Sequence, residues 1–369
     1  MPLVPPAIAH LRPYEAGRSL EEVRRTYGLH RVVKLASNEN PLGPSPLAIA
    51  EMVKCLPDLN RYPDGRGLRE ALAERYRTKV ENVIAGSGSE GILSNIIRTF
   101  LCDDDEVLTL DATFIGFRVL AQSRGVPYRT VPHRGYAADL PALANAITDR
   151  TKIIYLANPN NPTGTIFTRD AFLDFYRHVP ERVLIILDEA YFEYAAAEPG
   201  YVDSMHYRYD NVITLRTFSK AYGLAGVRIG YGFAHEELIG NLLKVKLPFE
   251  PSSPAQAAGI GALQDKEFLY RTLELNARGL RRLTTTLTQL GLRVVPSFGN
   301  FVMVELDSPA AAQTLTQQLL ERGVIIRPLA AFGLPHCVRI STGTDDDIQY
   351  CLDTLETVLT QEPAYATNR

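Results

Sequence analysis

The middle of the chain alternates between short apolar runs and longer amphipathic stretches. The apolar runs predict strands at Val83–Ala85, Glu106–Leu110, Tyr128–Val131, Lys152–Ala157, Val183–Leu187, Val212–Leu215 and Val227–Phe233. Segments between them predict helices at Gly91–Leu101, Phe114–Arg124, Asp139–Ala146 and Arg169–His178. Strands alternating with helices predict βαβ units, hence an α/β fold with a mostly parallel sheet covered by helices. Val183-Leu184-Ile185-Ile186-Leu187 is apolar at every position, as a strand covered on both faces should be. After Pro248-Phe249-Glu250-Pro251 the pattern changes. A helical stretch from Pro254 to Leu290 leads into short strands at Arg293–Val295, Phe301–Leu306, Val324–Ile326 and Val338–Ile340, with helices at Ala310–Glu321 and Asp345–Leu359. That texture predicts a smaller α+β domain. The expected division is an N-terminal segment (1–40) without strand pattern that packs on the small domain, a large domain (41–250) and a small C-terminal domain (251–369).

Composition narrows the class. Of 369 residues, 46% are hydrophobic and 22% charged, which is the balance of a soluble globular protein. A formal net charge of −3 offers no basic field for nucleic acid or an anionic membrane. The start, Met1-Pro2-Leu3-Val4-Pro5-Pro6, lacks the charged-then-apolar pattern of a secretion signal, and no apolar run reaches the ~18 residues of a membrane span. Cys55, Cys102, Cys337 and Cys351 form no CxxC pair, so free thiols in a reducing cytoplasm are expected. The histidines are scattered, and no metal site is expected.

Chemistry concentrates where strands end. Thr217-Phe218-Ser219-Lys220 follows the apolar run Val212–Leu215, with Arg228 a few residues on. A lysine delivered by a strand end among hydroxyls, beside a cation that favours its neutral form, is a candidate Schiff-base nucleophile. A merely solvated surface lysine competes with that reading, but leaves the anion-binding set Thr217, Ser219 and Arg228 unexplained. Asn158-Pro159-Asn160-Asn161-Pro162-Thr163-Gly164 follows another strand, and two Asn-Pro pairs in seven residues predict a rigid loop presenting the Asn161 amide. Asp188 follows five apolar residues, so its carboxylate needs a cationic partner, either an arginine or a protonated ring nitrogen. Gly86-Ser87-Gly88-Ser89-Glu90-Gly91 opens a helix and suits a phosphate. The same run satisfies GxGxxG, with Asp111 twenty residues beyond it, so a nucleotide-binding dehydrogenase competes. Phe114 at a strand end suits ring stacking or the core. Arg327 and Arg339 suit a carboxylate or phosphate, or surface ion pairs.

Together these motifs resemble fold-type-I pyridoxal-phosphate aminotransferases, and the histidinol-phosphate aminotransferase family in particular. The resemblance runs nearly end to end. It includes Leu11-Arg12-Pro13-Tyr14, Leu35-Ala36-Ser37-Asn38-Glu39-Asn40-Pro41, Arg61-Tyr62-Pro63-Asp64, the Asn-Pro-Thr-Gly loop, Asp188-Glu189-Ala190-Tyr191, the Lys220 run and Val338-Arg339-Ile340-Ser341. It implies a cofactor-binding large domain and pyridoxal 5′-phosphate bonded to Lys220, which then moves the proton between substrate Cα and cofactor C4′. It implies that Asp188 pairs with the ring nitrogen, Asn161 and Tyr191 with the ring oxygen, and Phe114 with the ring face. Ser89 and Glu90 backbone N–H groups, with Thr217, Ser219 and Arg228, would hold the phosphate. Tyr62 would reach the phosphate across a homodimer interface, and Tyr14, Arg327 and Arg339 would bind the substrate's anionic group. The implied reaction converts histidinol phosphate and 2-oxoglutarate to imidazole-acetol phosphate and glutamate, in histidine biosynthesis. Phenylalanine or tyrosine transamination and threonine-phosphate decarboxylation are the alternatives on the same scaffold, as is a non-catalytic binding protein. Glu250, where the family usually has asparagine, and Phe117, where tyrosine is frequent, bear on that choice.

Overall fold

The computed structural model describes residues 3–11, 17–207 and 209–361. A two-residue strand, β1 (Val33–Lys34), precedes seven strands that form one sheet: β2 (Val83–Gly86), β3 (Glu106–Leu110), β4 (Tyr128–Val131), β5 (Thr151–Ala157), β6 (Leu184–Asp188), β7 (Val212–Thr217) and β8 (Gly230–Phe233). Their order is β2-β8-β7-β6-β5-β3-β4. Pairing is parallel from β4 through β7, while β8 runs antiparallel to both β7 and β2. Successive side chains serve opposite buried faces. Val107, Ile153 and Ile186 enter one apolar cluster, while Leu108, Ile154 and Ile185 enter the other. Two covered faces explain the apolar runs without alternation. One consequence positions the site: β2, β3, β5, β6 and β7 all end at the same edge, where ligands of open α/β sheets bind.

The strand expected over Val227–Phe233 begins only at Gly230. Ala225–Val227 form a 3-10 turn and Arg228 is left-handed, with φ 60°. The expected helix from Pro254 to Leu290 is two helices, Ser253–Gln264 and Lys266–Gln289. Asp265 separates them: its carboxylate accepts from the Phe268 N–H at 3.1 Å and from the Ser45 hydroxyl at 2.6 Å. A residue in that cap is outside helical geometry although the apolar spacing runs on past it.

The rest of the chain builds β9 (Arg293–Val295), β10 (Phe301–Glu305), β11 (Val324–Ile325), β12 (Arg327–Pro328) and β13 (Cys337–Ser341). Antiparallel pairing gives the order β12-β13-β10-β9. The single strand expected over Val324–Ile326 is divided. Val324 and Ile325 pair in parallel with β1, and Arg327 pairs with Arg339. Thus residues 1–40, expected to lack strands, supply β1. Leu35 continues this stitching: its N–H donates to Ile325 and its carbonyl accepts from Ser341. Among the described residues no helix is long and apolar enough to cross a membrane.

Candidate active site

β7 delivers Thr217 to the sheet edge, and Phe218 anchors the turn that follows by full burial. Lys220 then projects inward, its Nζ 3.5 Å from the Ser37 carbonyl. Burial, aided by the positive charge of Arg339, lowers the ammonium pKa to about 8. β6 ends in Asp188, which is 4% exposed. Burial pushes this carboxyl up to about 6, against a hydroxyl donated by Tyr155 to Oδ2 at 2.7 Å and the Ala190 N–H donated to Oδ1 at 3.1 Å. A buried base and a buried acid, each pushed by burial toward its neutral form, therefore line one cavity.

The end of β2 opens the helix Gly88–Phe100. Gly88 has φ 77°, and a Cβ there would lie 2.8 Å from Arg228 Nη2. A Cβ on Gly230 would lie 2.3 Å from the Ser89 backbone nitrogen. Glycine at both positions lets the helix start, the start of β8 and the Arg228 guanidinium close into a cradle. Thr217 donates its hydroxyl to Ser219 at 3.0 Å beside it. N–H groups of a helix start, two hydroxyls and a guanidinium form a donor set for phosphate.

Phe114 caps the helix Ile115–Ser123, and its ring lies across Gly116, where a Cβ would come within 2.5 Å of the ring edge. Asn161 follows β5 and accepts an Arg339 N–H on its side-chain oxygen. The Tyr191 hydroxyl accepts from Asn38 Nδ2 at 2.8 Å. Ser89, Glu90, Phe114, Asn161, Asp188 and Tyr191 line one cavity of about 190 Å³, together with Thr217, Ser219, Lys220 and Arg228.

The aminotransferase class I and II family model matches residues 30–355. This chain belongs to that family. A histidinol-phosphate aminotransferase of Anaeromyxobacter sp. (strain Fw109-5) is 43% identical over 97% of this chain and 100% of its own length. Histidinol-phosphate aminotransferase 2 of Ralstonia nicotianae is 43% identical over 98% of each. The structure of the histidinol-phosphate aminotransferase from Sinorhizobium meliloti in complex with pyridoxal-5′-phosphate superimposes with a TM-score of 0.88, at 29% identity and 98% coverage of both chains. The fold is that of the fold-type-I aminotransferases.

Three predicted site residues of this aminotransferase, Tyr62, Arg327 and Arg339, do not line that cavity. Tyr14 is outside the described residues. Tyr62 is 79% exposed and stacks on Phe249 at 4.1 Å, away from the cavity. Arg339 is buried behind Asn161, where it also donates to the Ala36 carbonyl at 2.8 Å. Arg327 lines a second cavity of about 740 Å³, with Arg18 and Arg118. Asp111, which a dinucleotide reading assigns to a ribose, is bonded instead to His133. Glu250 accepts from the Ser87 hydroxyl at 3.2 Å, beside the Gly88 turn.

Two residues in the site carry no role in the sequence reading. Tyr155 sits inside an apolar strand, where nothing marks its hydroxyl as the Asp188 partner. Asn38 lies in a quoted motif, but its reach to Tyr191 depends on a φ of 55° and on Ser341, which donates its hydroxyl to Asn38 Oδ1 at 2.7 Å.

Proposed function

We propose that this aminotransferase binds pyridoxal 5′-phosphate at Lys220 and transfers an amino group from histidinol phosphate to 2-oxoglutarate. The products are imidazole-acetol phosphate and glutamate. The observation that carries the reading is the single cavity where a buried lysine, a buried aspartate and a glycine-lined phosphate cradle meet. The residues fit the group. The cradle suits its phosphate, Phe114 its flat face, and Asp188, awkward as a lone buried carboxylate, suits a protonated ring nitrogen. When bound, the cofactor supplies an electron sink for charge developing at the substrate's Cα. Ser89, Glu90, Thr217, Ser219 and Arg228 anchor it, and Asn161 and Tyr191 meet the ring oxygen. Lys220, with its pKa lowered to about 8, is suited to take a proton at Cα and return it at C4′.

The donor assignment leans on the histidinol-phosphate aminotransferases that match nearly the whole chain. The 740 Å³ cavity suits the donor's phosphate end, because Arg18, Arg118 and Arg327 line it and no carboxylate does among its described residues. Arg339 and Tyr14 complete substrate binding. We read 41–250 as the cofactor domain, 251–369 as the small domain, and 1–40 as a segment packed on the latter. The active unit is read as a cytoplasmic homodimer in which the exposed Tyr62 reaches the partner's cofactor phosphate. Purified protein carrying the cofactor absorbs visible light, and Lys220→Ala abolishes both that band and transamination. Transamination by Lys220→Ala at the wild-type rate would refute the assignment.

A further inference from the structure

We propose that Asp111 and His133 form a positioning pair that, through Asn160, fixes the spacing between the Phe114 ring and the Asn161 amide. The inference rests on the cofactor reading above. Asn160, 5% exposed, ties two loops at the sheet edge. Its side-chain oxygen accepts the Thr113 hydroxyl at 2.8 Å. Its NH₂ donates to the Ala112 carbonyl at 3.1 Å and to Thr163 Oγ1 at 3.0 Å. A carbonyl only accepts, so the nitrogen side of the amide is fixed. His133 Nε2 lies 3.5 Å from that same nitrogen, where a lone pair can share one of the two amide protons already given to Ala112 and Thr163. The ring proton then sits on Nδ1, which donates to Asp111 Oδ1 at 2.6 Å.

The His133 backbone N–H donates to the same oxygen at 3.1 Å. The ring is buried, with 6% of the side chain exposed. Burial acts to raise the Asp111 pKa, but the His133 bonds outweigh it and hold the carboxyl below its usual range. Asp111 therefore remains an anion that orients the ring. Between these groups Ala112 has φ 36°, a conformation that a non-glycine residue keeps only where its surroundings enforce it. Phe114 is two residues beyond Ala112, and Asn161 is the residue after Asn160. One carboxamide therefore couples two walls of the cavity that holds Lys220 and Asp188.

The test is the pH midpoint of the bound cofactor's visible band, which reports the bond to the ring oxygen and is indifferent to global stability. His133→Phe removes the lone pair but keeps the ring volume, and should raise the midpoint by more than ~0.3 unit. His133→Gln presents a carboxamide oxygen to Asn160 and should bring it back to within ~0.3 unit of wild type. A midpoint unmoved in His133→Phe, or moved as far in His133→Gln, overturns the inference. Should His133→Phe fail to fold, Asp111→Asn, isosteric and half-exposed, is held to the same criterion. Hydrogen exchange on cofactor-free protein separates the two failures. Amides of 111–114 and 158–164 should exchange about tenfold faster in His133→Phe, whether or not the cofactor reading holds. Unchanged exchange there overturns the positioning role itself.

Discussion

Tyr155→Phe removes one oxygen from the surroundings of a buried carboxylate and little else. The Tyr155 ring is fully buried and stacks on Phe117 at 4.1 Å and 12°, contacts that phenylalanine retains. What is lost is the 2.7 Å bond to Asp188 Oδ2. A hydrogen bond to a charged group contributes about 1.5–3 kcal/mol, equivalent to about 1–2 pKa units. Burial, then the Asp188 charge, raises the phenol pKa far above neutrality, so Tyr155 is always the donor. Asp188 already stands at about 6, and Tyr155 is the strongest influence opposing its burial. Without it the carboxyl should titrate at about 7–8. The sign follows from linkage. A carboxyl raised above its unfolded value of 3.8 binds extra protons in the folded state, so cofactor-free stability falls as pH rises from about 4 toward the folded pKa. Cofactor binding needs the anion, so affinity falls as pH drops through that folded pKa. The variant should bind pyridoxal phosphate about 5–50-fold more weakly than wild type at pH 6 and about 2–10-fold at pH 7, with the gap nearly closed by pH 8.5. Absorbance titration at pH 6, 7 and 8.5 measures this. A dissociation constant within twofold of wild type at pH 6, or a ratio independent of pH, would refute the reasoning.

Gly230→Ala places a methyl 2.3 Å from the Ser89 nitrogen and must push the helix start away; cofactor affinity should fall about tenfold or more, while Gly226→Ala, with open space around its Cβ, stays within about 0.5 kcal/mol in stability. Lys220→Met removes a buried ammonium whose pKa is lowered from 10.5 to about 8. Its cost is present below pH 8 and disappears as pH rises toward 10.5, so the cofactor-free variant should gain about 1–3 kcal/mol in urea unfolding at pH 7 and lose that advantage near pH 10.5. Arg339→Lys cannot serve the Ala36 carbonyl and the Asn161 oxygen together, so steady-state kinetics should show the oxo-acid KM raised about tenfold.

The parts of the fold and site that are legible in the sequence share one property: their signal is local. Lys220, Asp188 and Asn161 each follow an apolar run, and the end of a parallel strand is where polar groups can meet. Gly88 is legible as a turn before a helix. Tyr155 is not, because its hydroxyl acts on the neighbouring strand while its sequence neighbours say only that it is core. His133 lies in no motif, and its meaning comes from Asp111 and Asn160, 22 and 27 residues away. β1 is two residues long and has no period to detect. The break at Asp265 hides because helical spacing continues across it, and the late start of β8 hides because Arg228 breaks the strand through backbone φ, which apolar pattern does not encode. Tyr62, exposed and stacked on Phe249, lies outside the cavity, a position that its local turn motif does not encode.

The most direct measurement is kcat/KM for a panel of amino donors at fixed 2-oxoglutarate, following glutamate. The account predicts that histidinol phosphate exceeds phenylalanine and tyrosine by about 100-fold or more, because the Arg18, Arg118 and Arg327 guanidinium groups lining the second cavity attract its phosphate, which the other two donors lack. A preference for phenylalanine or tyrosine, or carbon dioxide release from threonine phosphate without glutamate formation, would contradict it.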